Sequence, residues 1–280
     1  MNIKVLSDST CDLSNEIKEQ FDITTIPLVV NKDGQSFRDG VDITPADIFA
    51  HVAAGGALCS TSALNVGDYE DVFATYSKDC DALVYITIGS GFSCCYQNAC
   101  LAAEDYPNVV VIDSKNLSTG QGLVVLKAAE LAKTCENIDD LKAQVVEFTG
   151  KVEASFLLDQ LGYMVKGGRC SSVAALGANL LNLKPCIEVK DGKMSVVKKY
   201  RGNFNKSIVS YVKDRLANRD DLDKGTLFVT NTPVSEDAYA GVLDAVKEFG
   251  DFENIYCTTA GCTVSCHCGP GTLGVLFVRK

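Results

Sequence analysis

The chain has 280 residues, 46% of them hydrophobic and 22% charged, enough to bury the core of one large or two ordinary domains. A net charge of −10 argues against nucleic-acid binding, which needs clustered Lys and Arg. No apolar run is long enough to span a bilayer, and MNIKVLSDST lacks the apolar stretch of a signal peptide, so a cytoplasmic protein without a transmembrane segment is expected.

The first half alternates strand and helix. Ile3–Leu6 predicts a short strand, SDST a polar turn, and Ser14 the start of a helix. Ile23–Val30 is rich in β-branched residues and reads as one strand. In Thr44-Pro45-Ala46-Asp47 the threonine caps, the proline fits the first turn and the aspartate faces the dipole, so a helix opens there. A polar turn at Thr61–Asn65 leads into a helix ending near residue 76. ALVYITI, Ala82–Ile88, is continuously apolar, the mark of a strand buried on both faces of a parallel sheet. GSGFS leads into a helix from Phe92 to about Ala103, and Val109–Ile112 predicts another buried strand. DSKNLSTGQG then opens a long helix to about Lys133. This alternation predicts a parallel, doubly wound sheet.

After residue 150 the pattern changes. LGYMVKGGRCS reads as a helix ending in a Gly-Gly turn. Lys184–Val189 and Met194–Lys199 flank Asp191-Gly192, a hairpin signal. A helix from about Asn203 to Leu216, a strand at Thr226–Thr230, a helix from Ser235, and strands at Asn254–Cys257 and Leu273–Val278 complete a second unit. The expected architecture is α/β with two domains, residues 1–152 around a parallel sheet and 153–280 around a mixed sheet, and a ligand cleft between them.

Ligands of open α/β sheets bind at the carboxyl ends of the strands. Hydroxyls crowd four such ends: Ser7-Asp8-Ser9-Thr10, Ser60-Thr61-Ser62, Gly89-Ser90-Gly91-Phe92-Ser93, and Asp113-Ser114 continuing to Ser118-Thr119-Gly120. One such segment reads as helix capping. Several on one sheet edge make a donor-rich pocket suited to an oxyanion. The Gly-x-Ser-x-Gly elbow, Walker A and GxGxxG fingerprints are absent.

The chain has 2 histidines. His51 lies in an alanine-rich helical stretch and reads as a surface or packing residue. His267 precedes Gly-Pro-Gly in a predicted loop feeding the last strand, placed to hydrogen-bond a ligand head group. Cys262, Cys266 and Cys268 surround it without the second spaced pair of a zinc site or the Cys-x-x-Cys of a redox centre. Most of the 13 cysteines, among them Cys94, Cys95, Cys100 and Cys135, read as small buried hydrophobes. Two alternatives stay open from the residues alone. One is a hydrolase or transferase using Ser93 and His267 on a small acyl or phosphorylated substrate. The other is a metal-dependent protein built on the terminal cysteines.

SDSTCDL, TSALNVGDY, the GSGFS turn with its following YQNA, VIDS, YMVKGGR, KKYRG and the terminal His267-x-Gly269-Pro270-Gly271-x-x-Gly274 together resemble the DegV family, from Lys4 to Phe277. The resemblance implies a two-domain α/β protein that binds a long-chain fatty acid, needs no cofactor or metal, and presents the acid to a separate ATP-dependent kinase that phosphorylates its carboxylate. It implies a carrier and not an enzyme. Carried over by residue, Thr61 and Ser93 hydrogen-bond the carboxylate, with Ser62 a neighbouring candidate. His267 approaches from the second domain, and Arg169 and Arg201 line the mouth where the kinase docks. The family's helix start usually reads Ser-Gly-Thr-Tyr-Gln. Here it is Ser93-Cys94-Cys95-Tyr96-Gln97, so a cysteine stands where a glycine would let the backbone approach the ligand.

Overall fold

The computed structural model describes residues 1–176 and 183–280. In the first half the chain forms β1 (Ile3–Asp8), α1 (Asn15–Phe21), β2 (Ile23–Ile26), β3 (Val29–Lys32), β4 (Gln35–Arg38), α2 (Pro45–Ala53), β5 (Ser60–Ser62), α3 (Val66–Tyr76), β6 (Ala82–Thr87), α4 (Cys95–Ala103), β7 (Val109–Asp113), α5 (Ser118–Ala132) and α6 (Ile138–Thr149). The strands β2, β1, β6 and β7 pair in that order as a wholly parallel sheet. Every residue of β6 is buried, which is why its sequence shows no polar alternation. Capping boxes start α2 (Thr44 with Asp47) and α3 (Asn65 with Asp68).

Ile23–Val30 is not one strand. Pro27, which has no N–H to give a ladder, lies between β2 and β3. Ile26 ends in the parallel sheet, and Val29 enters a separate antiparallel sheet of order β4-β3-β5. Thr61 is not in a turn: it is the middle residue of β5, opposite Val30.

The second half forms β8 (Val152–Leu158), α7 (Gly162–Gly167), α8 (Ser171–Ala174), β9 (Leu183–Lys190), β10 (Lys193–Arg201), α9 (Phe204–Leu216), β11 (Leu222–Asn231), α10 (Glu236–Phe249), β12 (Asn254–Thr259), α11 (Cys262–Cys268) and β13 (Thr272–Arg279). They build a mixed sheet of order β10-β9-β8-β13-β11-β12. Asp191 and Gly192, both at positive φ, turn β9 into β10 as their sequence predicts. We propose a domain boundary at residue 152, beside the change of sheet at β8, whose first residue, Val152, already pairs with Val278 of the mixed sheet.

Helix α5 lies between the two sheets, against β1 and β6 on one side and β8, β11 and β13 on the other. Its first turns are polar in sequence yet buried, because each polar group finds a partner. Thr10 donates to Gln121 (2.8 Å), Gln121 donates to Ser7 (2.9 Å), and Thr119 meets Thr230 (2.5 Å).

Cys262–Cys268 is a helix, not the expected loop. Remote carboxylates receive its opening N–H groups: Asp39 accepts from Cys262 (2.8 Å) and Thr263 (3.1 Å), and Asp12 from Gly261 (2.9 Å). Around this helix Cys262 and Cys266 pack into a small core with Val30, Ile43, Ile48 and Cys59, whereas Cys268 enters the main core. Adjacent residues diverge by about 100° on a helix, so Cys266, His267 and Cys268 do not converge on one point. Of the cysteines read as buried, Cys95 is buried, Cys100 and Cys135 are partly exposed, and Cys94 is exposed.

Burial, with Asp39 adding repulsion, pushes Asp12 up to about 8 against the hydrogen bonds it accepts from Ser118 and Gly261. The unfolded carboxyl titrates near 3.9. Between about pH 4 and 8 the folded chain therefore keeps a proton that the unfolded chain has released, and stability falls as pH rises, by at most about 1.4 kcal/mol per unit. Urea midpoints should drop between about pH 6.5 and 8, and Asp12→Asn, which keeps an acceptor for Gly261 and an amide for Ser118, should flatten the drop. A wild-type midpoint that rises over this interval contradicts the assignment.

Candidate ligand site

His267 Nε2 lies 2.8 Å from Thr61 Oγ1, so α11 and β5 meet across the cleft between the domains. Gly167, closing α7, makes room for the ring: a Cβ built there would fall 2.4 Å from His267 Nδ1. Nδ1 is buried and has no hydrogen-bond partner among the described residues. A proton placed there would be a buried donor without an acceptor, so the neutral ring is assigned its proton on Nε2. Thr61 Oγ1 then accepts from His267, and the threonine's own proton is free to donate.

Ser93 is arranged in the same way. Its Oγ accepts the N–H of Cys95 at 3.3 Å and lies 3.1 Å from the Cys95 thiol; with the thiol as donor, the serine's own proton points elsewhere. Behind it, Asp8 ties the wall together by accepting from Tyr85 (2.8 Å), Tyr69 (3.2 Å) and the backbone of Ile88 (2.8 Å). Burial raises Asp8 to about 6 even though these three donors oppose the shift.

Thr61, Ser93 and His267 line one cavity of about 590 Å³, otherwise walled mainly by apolar residues such as Leu28, Ile88, Phe92, Leu117, Met164 and Met194. No acidic residue lines it among the described residues, and Arg169 is the charged member. A second space of about 400 Å³ shares the Leu117, Val264 and Cys268 walls and extends to Phe156, Val189 and Leu276.

The candidate residues separate clearly. Ser62 borders the cavity, and its hydroxyl accepts from Asn31 at 2.9 Å, so its own proton is free to donate as at Thr61. Arg169 stands at the rim, with its guanidinium donating to the carbonyls of Gly167 (2.7 Å) and Phe92 (3.5 Å), and it forms no ion pair among the described residues. Arg201 does not line the cavity. It is exposed at the far end of β10, seven residues beyond Met194, or roughly 20 Å at the rise of a strand. His51 packs on Gly56 and is not among the lining residues. Gly167, Cys95 and Asp8 support the site. Only their place in the three-dimensional structure reveals this, because nothing in their sequence neighbourhood marks a buried carboxylate or a glycine under an imidazole.

Fold and cavity define a class: two-domain α/β proteins with a largely apolar cleft, bearing hydroxyls and a histidine at one end, between a parallel and a mixed sheet. A family model described as "Uncharacterised protein, DegV family" matches residues 2–280, and the chain belongs to the DegV family. A DegV domain-containing protein of Clostridium acetobutylicum is 32% identical over 282 residues, covering 99% of both chains. A structure described as fatty acid binding of a DegV family protein from Thermus thermophilus is 26% identical with a TM-score of 0.89, covering 100% of both chains. A stearic acid-binding protein from Eubacterium ventriosum is 28% identical with a TM-score of 0.84, covering 99% of this chain and 98% of that one.

Burial, then the charge of Arg169, lowers His267 to about 4. The unfolded imidazole titrates near 6.5, so the unfolded chain takes up a proton that the folded chain refuses, and this contribution to stability is lost as pH falls from about 6.5 toward 4. NMR titration should find His267 neutral down to about pH 5. Arg169→Gln should move its midpoint up, but not to 6.5, because burial is the larger cause. A wild-type midpoint near 6.5 contradicts the buried, neutral ring.

Proposed function

We propose that this protein binds a long-chain fatty acid, with its carboxylate at Thr61, Ser93 and His267, and presents it to a separate ATP-dependent kinase for acyl-phosphate formation. The observation that carries the reading is the pairing of two hydroxyl donors, each anchored from behind, with an apolar cavity free of acidic residues among the described ones. Neutral donors hold a carboxylate without quenching its nucleophilicity as a bidentate arginine would. The tail runs into the second space toward Phe156 and Leu276. Each buried methylene is worth roughly 0.8 kcal/mol, about 10 kcal/mol for a long chain before the costs of association. The fatty-acid-binding relatives from Thermus thermophilus and Eubacterium ventriosum support the same ligand class.

In this reading the chain is a carrier. Hydrolysis would need a base on Ser93, yet His267 bonds Thr61, and Ser93 has Cys95 as its partner. Arg169 at the rim faces the charge that develops as a phosphoryl group arrives. Arg201, far along β10, is assigned to docking of the kinase and not to the head group. The cytoplasm, where ATP and such a kinase meet, is the proposed place of work.

Native mass spectrometry of the purified protein, with solvent extraction of bound material, tests the reading. One fatty acid per chain is expected. Thr61→Ala and Ser93→Ala should each weaken binding by about 10- to 150-fold, the net worth of a hydrogen bond to a charged group. Protein that is empty and refuses added fatty acid overturns it.

A further inference from the structure

Thr263 stands four residues before His267 on α11, and it lines the first space but not the second. The residue is 6% exposed, and its Oγ1 has no hydrogen-bond partner among the described residues. Threonine hydroxyls in helices usually return to a carbonyl three or four residues back, and this one does not. Its backbone N–H is already taken by Asp39. The other hydroxyls of the cavity are engaged: Thr61 with His267, Ser62 with Asn31, Ser93 with Cys95. The cavity wall that Thr263 shares is mostly apolar, including Leu28, Ala63, Leu117 and Val264. A buried hydroxyl without a partner is a standing cost that a matching ligand group removes.

We propose that Thr263 reads a hydroxyl group on the acyl chain, and that the preferred ligand class is a long-chain fatty acid hydroxylated near its carboxyl end. The inference rests on the fatty-acid reading above. Four residues of helix place Thr263 about 6 Å from His267 along the axis. The threonine is absent from the space into which the tail runs, so the group it meets lies among the first few carbons. One χ1 rotation decides whether methyl or hydroxyl faces the cavity. An unsubstituted acid leaves the hydroxyl unpaired, whereas a hydroxy acid pairs it and gains a second polar anchor. Valine at this position keeps the shape and removes the reader.

The test is the dissociation constant of hexadecanoic acid and of 3-hydroxyhexadecanoic acid for the wild type, Thr263→Val and Thr263→Ser. The wild type should bind the hydroxy acid about tenfold tighter, the worth of one net hydrogen bond. Thr263→Val should erase that preference by weakening the hydroxy acid alone, and Thr263→Ser should retain it. Equal affinities in the wild type, or a preference that survives in Thr263→Val, overturn the proposal. So does an equal loss for both acids in Thr263→Val, which would make Thr263 a third carboxylate donor. If the wild type binds neither acid, the fatty-acid reading itself fails and takes this inference with it.

Discussion

The site depends on two aspartate side chains that hold a seven-residue helix against the first domain. Asp39 takes the N–H groups of Cys262 and Thr263 and a hydroxyl proton from Ser9, while Asp12 takes the N–H of Gly261 and the hydroxyl of Ser118. A helix of this length has no stability of its own. Without those acceptors its first N–H groups would be buried and unpaired, at about 1–3 kcal/mol each. Asp12 (φ 51) and Ser118 (φ 52) both sit in the left-handed region to make the contact, so the local backbone carries strain that the joined domains offset. Once α11 is held, His267 reaches Thr61, Cys266 fills the small core over β3 and α2, and Thr263 faces the cavity. The His267–Thr61 bond belongs both to the contact between the domains and to the polar end of the cavity.

Asp12 and Asp39 serve the backbone at the start of α11, and no acidic residue lines the cavity beyond it among the described residues. The cavity's own polar groups are neutral hydroxyls and a neutral imidazole, and the charge of Arg169 sits at the rim. A carboxylate entering such a site meets donors already oriented by their back partners, so little ordering remains to oppose binding. Beyond the polar end the walls are largely apolar, and Thr263 is the lining residue whose hydroxyl has no partner among the described residues.

The elements whose sequence states their environment were legible without coordinates. Ala82–Thr87 is apolar throughout because it is buried throughout, Thr44-Pro45-Ala46-Asp47 carries its own cap, and Asp191-Gly192 carries its own turn. Thr61, Ser93 and His267 were legible as hydroxyls and a histidine near strand ends and a glycine-proline turn, and the structure brings all three to one cavity. What failed to show depends on distant partners. Cys262–Cys268 has no capping residue, proline or helical periodicity of its own, because Asp39 and Asp12 cap it from more than 200 residues away. Ile23–Val30 looked continuous because β-branched residues run through the break, and Pro27 alone marked it. The family resemblance put Arg201 beside Arg169 at the mouth, but the length of β10 carries it away from the cavity that Arg169 lines.

The most direct test of the account is a crystal structure of the protein with one long-chain fatty acid bound. The account predicts the carboxylate within hydrogen-bonding distance of Thr61 Oγ1 and Ser93 Oγ, beside a neutral His267, with the chain passing Val264 and Cys268 toward Phe156 and Leu276. A reversed acid, with its carboxylate in the second space and its tail at Arg169, would contradict the central claim, as would an acid bound outside the cleft that Thr61 and His267 close.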